Sequence, residues 1–472
     1  MELLKKYRLG MLGIVVVLFT LFSTKTKAEE MPSMMDLVRE SEFQVNEIDR
    51  PKGAVLIDAN TGQFLWGENP DAPHNPASIM KLMTVYLVYQ AIEEGKISLD
   101  TEVVANQRYV DISNIYQLSN SKIELGVAYP VRELLKMAIV PSSNVATVML
   151  ADLVEPDAVK MLQKVNQTAQ ELGMKNTKIV NITGAEIVAF QGLYGSEGVD
   201  TSTLDSTGSN VTTARDLATF TYFLLSKYPD ILNYTKTPTV TSMPGTAYEE
   251  TFDTYNYSLP TLEYSYEGVD GLKTGSSPTG GFNIDMTAKK GDLRLIAIVL
   301  GVGNWADQTG EYKRHPFANA MLNYGFNHFE YKEVLSAGEH EIDTKSIVTE
   351  KPFFTTVKKE APFTIQLGNN NELLIDNGMT RIADTIPIQE VSFKEKEEKL
   401  TLNTTDKPIK TTNITSKVST YTKSLLKNRW MLILVNLTAL ILLIFLIVWY
   451  IRKRDQKRRL AARNRQKHRR RR

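Results

Sequence analysis

Two rhythms of apolar residues divide this chain. Residues 53–69, GAVLIDANTGQFLWGEN, hold two apolar runs around the polar turn DANTG, which predicts a β-hairpin. The spacing then changes. Leu82, Val85, Tyr86 and Tyr89 fall on one face of a helix, with Asn75 placed as N-cap, Pro76 as first helical residue and Gly95 as the stop. Residues 131–153 carry two helical patterns interrupted by PSSN, and 155–174 carry a third. Residues 185–212 are rich in Gly, Ser and Thr and predict a long excursion. TARDLATFTYFLL restarts a helix at 213. Strand alternation returns in VDGLKTG, GFNIDMTAKK and LRLIAIVLGV, before a last helix near 312–325. Strands at both ends around a helical middle predict an α+β domain over 29–330, its sheet built from both termini.

From about residue 331 short alternating runs such as APFTIQL and EVSFKEKEEKLTL predict a small all-β domain, 331–402. Residues 403–428 are rich in Thr, Ser, Asn and Lys and read as a stem. The uncharged run 430–451 is long enough to cross ~30 Å of hydrocarbon, so one transmembrane helix is expected at 429–451. Trp430, Trp449 and Tyr450 sit at its edges, as interfacial aromatics do. At the front, residues 1–28 have a basic start, a short apolar stretch and Ala28, the pattern of a cleaved signal peptide.

Charge sharpens that topology. The formal net charge of +1 hides +12 in residues 452–472 and +4 in residues 1–28, leaving −15 between them. A basic tail directly after an apolar span places the C-terminus in the cytoplasm and the body outside, with anionic lipid as the tail's partner. An acidic body argues against nucleic acid. Absence of cysteine and a single anchor suit the cell membrane of a Gram-positive cell. The chain has five histidines, His74 alone before residue 315, and no His-x-x-x-His pair, so neither metal nor cofactor is expected.

Candidate chemistry starts at NPASIMKLMT. Ser-x-x-Lys occurs three times: Ser78/Lys81, Ser119/Lys122 and Ser424/Lys427. Only Ser78 has a helix start built around it, where free N–H groups stabilise negative charge and a lysine three residues on shares its face. A lysine is a poor base at its ordinary pKa of ~10.4 and must be desolvated or placed beside another cation. GVDGLKTGSS supplies that cation in Lys273, followed by Thr274 and by Gly275, where a ligand's backbone can come close. VPSSNVATVML supplies Ser142, a hydroxyl able to carry a proton, and Asn144, an amide able to hold a carbonyl.

The ordered trio at 78, 142 and 273 resembles the penicillin-recognising serine enzymes. PASIMKLMTVYLVYQAI, PVRELLKMAIVPSSNVATVMLAD, LGMKNTKIVNITG, TARDLATF and GVDGLKTGSSPTGGFN look like the D-alanyl-D-alanine carboxypeptidases, the low-molecular-mass penicillin-binding proteins of the DacA type, serine peptidase family S11. The likeness covers about residues 35–330 and implies a penicillin-binding-protein/β-lactamase-like transpeptidase fold: an antiparallel sheet with helices plus a helical subdomain.

The resemblance also implies roles. Ser78 is the nucleophile, Lys81 its base and Ser142 a proton relay. Asn144, Lys273, Thr274, Gly275 and Ser276 bind substrate, and the N–H groups of Ser78 and Ser276 form an oxyanion hole. The implied substrate is a peptidoglycan pentapeptide ending in D-Ala-D-Ala, laid along the Lys-Thr-Gly strand as an added strand. β-Lactams are the implied covalent inhibitors. Arg314 matches a family arginine that can receive the substrate carboxylate; the alternative is a surface arginine on the closing helix. The chain departs from the family pattern in having no Arg between 215 and 294, and Ser276-Ser277 where an aromatic or His then Thr is common. Two rival readings are a class A-like β-lactamase, opposed by the lack of Glu-x-x-x-Asn between 145 and 260, and a catalytically inactive wall-binding scaffold.

Overall fold

The structure is a computed structural model and describes residues 31–396 of the 472. α1 (Met34–Glu40) starts at Ser33, whose Oγ accepts from Asp36 N while the Asp36 carboxylate accepts from Ser33 N. β1 (Gly53–Asp58) and β2 (Phe64–Glu68) form the expected antiparallel hairpin. A 3-10 turn at Ala77–Met80 then leads into α2 (Lys81–Glu93). The helical middle follows: α3 (Gln107–Ser113) between the short paired strands β3 (Glu102–Val104) and β4 (Ala128–Pro130), then α4 (Val131–Ile139), α5 (Asn144–Val154) and α6 (Ala158–Glu171). Residues 185–212 are a long excursion with one 3-10 turn, Ile187–Phe190, and α7 (Ala214–Lys227) follows it. A second small ribbon, β5 (Thr239–Ser242) and β6 (Glu250–Asp253), precedes β7 (Val269–Ser277), β8 (Gly281–Lys290), β9 (Leu293–Val302) and α8 (Gly310–His328).

The central sheet runs β2-β1-β9-β8-β7, all antiparallel, so strands from both ends of the domain meet as predicted. β1 is buried on both faces. Val55 and Ile57 face one side, with the helical subdomain and α7, while Ala54 and Leu56 face the other, with α8 and α1. That double burial is why the run is apolar without alternation. β7 ends the row and has one strand neighbour, β8, among the described residues. α2 is buried almost all round and stacks Tyr89 on Tyr228, with Tyr86 edge-on to the same ring.

The second domain begins where α8 ends. β10 (Phe329–Leu335) pairs with β13 (Phe353–Lys358), and a second sheet runs β11-β12-β16-β15-β14, made of β11 (Gly338–Ile342), β12 (Lys345–Thr349), β14 (Thr364–Leu367), β15 (Glu372–Asp376) and β16 (Val391–Glu395). Its core is small: Ile347, Phe353, Leu373 and Phe393. Part of this predicted β region returns to the first domain. Phe64 N donates to Thr380 O (2.7 Å), Ile382 N donates to Gly62 O (2.8 Å), and Ile382 and Ile386 join the larger core. The larger core offers these two isoleucines more apolar burial than the four-residue one. Thr356 Oγ1 of β13 donates to the buried Asp58 carboxylate (2.7 Å) at the end of β1.

The signal segment, the membrane span and the basic tail expected from the sequence lie outside the described residues, as does the stem. Among the described residues no helix is long and apolar enough to cross a membrane.

Candidate active site

Ser78 lies in the 3-10 turn ahead of α2, so the α-helix begins five residues later than Asn75-Pro76 predict. Pro76, not Asn75, is the N-cap of that turn; Asn75 Oδ1 accepts from Ala77 N at 2.9 Å just ahead of it. Ala77 has φ +50°, a left-handed conformation that costs a non-glycine residue energy and needs support from its surroundings. Two glycines supply the support. A Cβ on Gly184 would lie 2.1 Å from Ala77 O, and one on Gly275 would lie 2.3 Å from Pro76 O and 3.1 Å from Ser78 N. Gly275 therefore does allow close approach, but what approaches is the chain's own turn, not a ligand.

Lys81 is the first residue of α2 and only 1% exposed. Its Nζ is 2.8 Å from Ser78 Oγ and 2.7 Å from Thr183 O. Burial, and then the charge of Lys273, hold its pKa well below the ordinary lysine value. Lys273, 2% exposed on β7, donates to Thr274 O at 3.0 Å. Burial, and then the charge of Arg314, push it down to about 7. Three buried basic side chains thus bear on one another in sequence.

Arg314 is not the surface residue of the alternative reading. It is 1% exposed, and its guanidinium donates to Ser276 Oγ (3.0 Å), Asn283 O (3.4 Å) and Tyr255 O (3.4 Å). Burial lowers it to about 10. It does not line the cleft; Ser276, which it holds, does. Any action of Arg314 on a substrate carboxylate would run through or beside Ser276.

Ser142 sits at φ +64° between α4 and α5. Its Oγ is buried with no partner among the described residues, so it is not hydrogen-bonded to Lys81 or Ser78. Asn144 donates through both N and Nδ2 to Ser119 O (2.8 and 2.9 Å), which leaves its buried Oδ1 unpartnered. Such groups are costly to leave unsatisfied.

A cleft of about 400 Å³ opens over these residues. Ser78, Asn144 and Ser276 line it, with Asn75, Ser119, Gly184, Glu186, Thr279 and Trp305. Lys81, Gly275 and Arg314 are buried or part-buried against its lining residues Ser78 and Ser276. The second Ser-x-x-Lys copy is split: Ser119 is in the wall, whereas Lys122 is exposed and paired with Glu124. The third lies outside the described residues.

Several of these residues escaped the sequence reading. Thr183 O and Gly184 belong to a loop shaped by two buried asparagines. Asn210 Oδ1 accepts from Val180 N (2.8 Å) and Asn181 N (3.0 Å), and Asn181 Oδ1 accepts from Gly184 N (2.7 Å). The stretch NITG was the available signal: a polar cluster ending in Gly where a buried turn is needed. Trp305, stacked on Phe282, left no such signal.

A sheet closed by α8 and a helical subdomain hold between them a Ser-Lys pair of the kind that serine acyl transfer needs. The D-alanyl-D-alanine carboxypeptidase profile matches residues 40–304, more than half of the chain, and the protein belongs to that family. A domain of unknown function, DUF1958, matches residues 331–394. The chain is 30% identical over 279 residues to the D-alanyl-D-alanine carboxypeptidase DacF of Bacillus subtilis, covering 59% of this chain and 63% of that protein. It is 26% identical over 316 residues to DacA of Escherichia coli K12, covering 65% and 70%. The chain thus spans under two thirds of the first of these relatives. Among solved structures, a peptidoglycan synthesis regulatory factor (PBP3) from Streptococcus pneumoniae shares the fold with TM-score 0.61 at 24% identity, covering 74% of this chain and 100% of that one. Penicillin binding protein 6B from Escherichia coli does so with TM-score 0.55 at 25% identity, covering 75% and 96%.

Proposed function

We propose that this protein is a serine D-Ala-D-Ala carboxypeptidase that removes the terminal D-alanine from peptidoglycan stem peptides. The observation that carries the reading is the 2.8 Å approach of Lys81 Nζ to Ser78 Oγ inside a buried, cation-rich pocket. A neutral Lys81 accepts the Ser78 proton as Oγ attacks the carbonyl carbon of the penultimate alanine. The oxyanion forms between the N–H groups of Ser78 and Ser276, one such donor being worth roughly 3 kcal/mol at comparable sites. The proton passes to the terminal amine, by way of Ser142, and D-alanine leaves. Water then attacks the ester on Ser78, gives its proton back through Lys81, and frees the shortened peptide.

Asn144, through its unpartnered Oδ1, takes an N–H of the bound peptide. β7, an edge strand, takes the peptide backbone as a neighbour. Lys273 and Arg314 hold the pocket positive, and Arg314 acts on the substrate carboxylate through Ser276 and the field. β-Lactams acylate Ser78 by the same attack and leave slowly. The signal segment, the span at 429–451 and the basic tail support a single-pass anchor with the catalytic domain outside a Gram-positive cell membrane and the tail on anionic lipid.

The test is D-alanine release from a synthetic pentapeptide by native protein and by Ser78→Ala. Release by the native protein alone is expected. Release by neither fits a wall-binding scaffold, and rapid destruction of penicillin without D-alanine release fits a β-lactamase.

A further inference from the structure

The cleft is electrically lopsided. Behind its Ser276 end stand the buried cations Lys273 and Arg314. Among all the residues that line it, Glu186 alone carries a charged side chain. Glu186 opens the 185–212 excursion, two residues past the Gly184 wedge, and it is half-buried. Its place is fixed from across the cleft: Ser209 Oγ donates to Glu186 Oε1 (3.3 Å) and lies 3.3 Å from Thr279 Oγ1, which accepts from Asn75 Nδ2 (2.7 Å). The carboxylate therefore stands level with the turn after β7, and Glu186 Oε2 has no role in that chain.

We propose that Glu186 is a specificity-determining residue that binds a primary ammonium on the side chain of the residue preceding the two C-terminal alanines. The inference rests on the function proposed above and names a feature of its substrate. A peptide paired with β7, its carboxylate toward the cations near Thr274, runs toward Thr279 at about 3.3 Å per residue. Two residues take it about 7 Å along the strand. A side chain of four or five carbons on the next residue then reaches Glu186 with its amine. A ligand negative at one end and positive at the other matches both ends of the cleft. A neutral side chain leaves the carboxylate with Ser209 and water only.

The experiment compares D-alanine release from two peptides ending in Lys-D-Ala-D-Ala, one with the lysine amine free and one with it acetylated. Native protein is expected to show kcat/KM about five- to tenfold higher for the free amine, the range of a charge-assisted contact at a half-exposed site. In Glu186→Gln the ratio falls to near one, and in Glu186→Lys it inverts. The native preference shrinks as salt rises from 0.05 to about 0.5 M, because exposed charges are screened. Thermal melting of each variant reports its folding independently of activity. A ratio that stays the same in native protein and in a folded Glu186→Gln overturns the inference and leaves the carboxypeptidase reading standing. Release from neither peptide by native protein overturns both.

Discussion

Gly184 and Ala77 are in backbone contact so close that a methyl group on the glycine would overlap the Ala77 carbonyl, at 2.1 Å. Gly184 also has φ +87°, a conformation that any side chain strains. The contact couples a loop from the middle of the chain to the turn that carries the nucleophile. Gly184→Ala is expected to slow covalent labelling of Ser78 by a fluorescent penicillin by at least about a hundredfold, since a misplacement of ~1 Å costs that much. It should also lower stability by about 1–3 kcal/mol, measured by denaturant unfolding.

The pH dependence of acylation follows from Lys81. Its pKa is depressed, so the neutral base is the minority at low pH and becomes the majority as pH rises through that depressed value. The rate of Ser78 labelling should therefore climb with pH along a single limb that ends well below the ordinary lysine pKa of ~10.4. An acidic limb reaching its midpoint at pH ~10 would show that Lys81 is not desolvated in solution.

Arg314 reaches the chemistry through Lys273. Removing its charge in Arg314→Met should raise the pKa of Lys273 from about 7, because burial remains and the repulsion does not. Lys273 then stays charged to higher pH and opposes a proton on Lys81 over a wider range. The variant should shift the labelling profile and lose substrate affinity, with Ser276 Oγ deprived of its donor. A pH profile identical to that of the native protein would limit Arg314 to packing.

The contact between the two domains rests in part on a buried carboxylate. Asp58 accepts from Asn60 N, Thr61 N, Thr61 Oγ1 and Thr356 Oγ1. Burial raises its pKa in spite of these donors. Thr356→Val removes the donor from the second domain and should cost about 1–3 kcal/mol in denaturant unfolding, with penicillin labelling of the folded variant unchanged.

Much of this was legible along the chain because local patterns and global structure agree. The β1–β2 hairpin, the PSSN break between α4 and α5, and the Lys-Thr-Gly strand each announce themselves within a dozen residues. Ser78, Lys81, Ser142, Asn144 and Lys273 were picked out by motif; Ser78 and Asn144 line one cleft, and Lys81 bonds Ser78 with Lys273 near enough to lower its pKa. What was not legible is long-range. Thr183 O meets Lys81 across 102 positions of sequence, and nothing near Thr183 says so. Gly275 was read as space for a ligand because a glycine shows that something comes close and not what. Arg314 was read as a carboxylate site with a surface arginine as the alternative; the contacts that bury it, to Ser276 on β7 and Asn283 on β8, are long-range. Ile382 and Ile386 sat in a stretch read as β domain, yet their partners are in the first domain.

The most direct measurement is intact-protein mass spectrometry during turnover of a D-Ala-D-Ala peptide, with native protein and Lys81→Arg, followed by digestion to locate the adduct. An acyl group on the fragment containing Ser78, one D-alanine released per acyl formed, and a loss of at least about a thousandfold in Lys81→Arg are predicted. An adduct on another residue, or acylation of Ser78 at native rate when Lys81 cannot be neutral, would contradict the account.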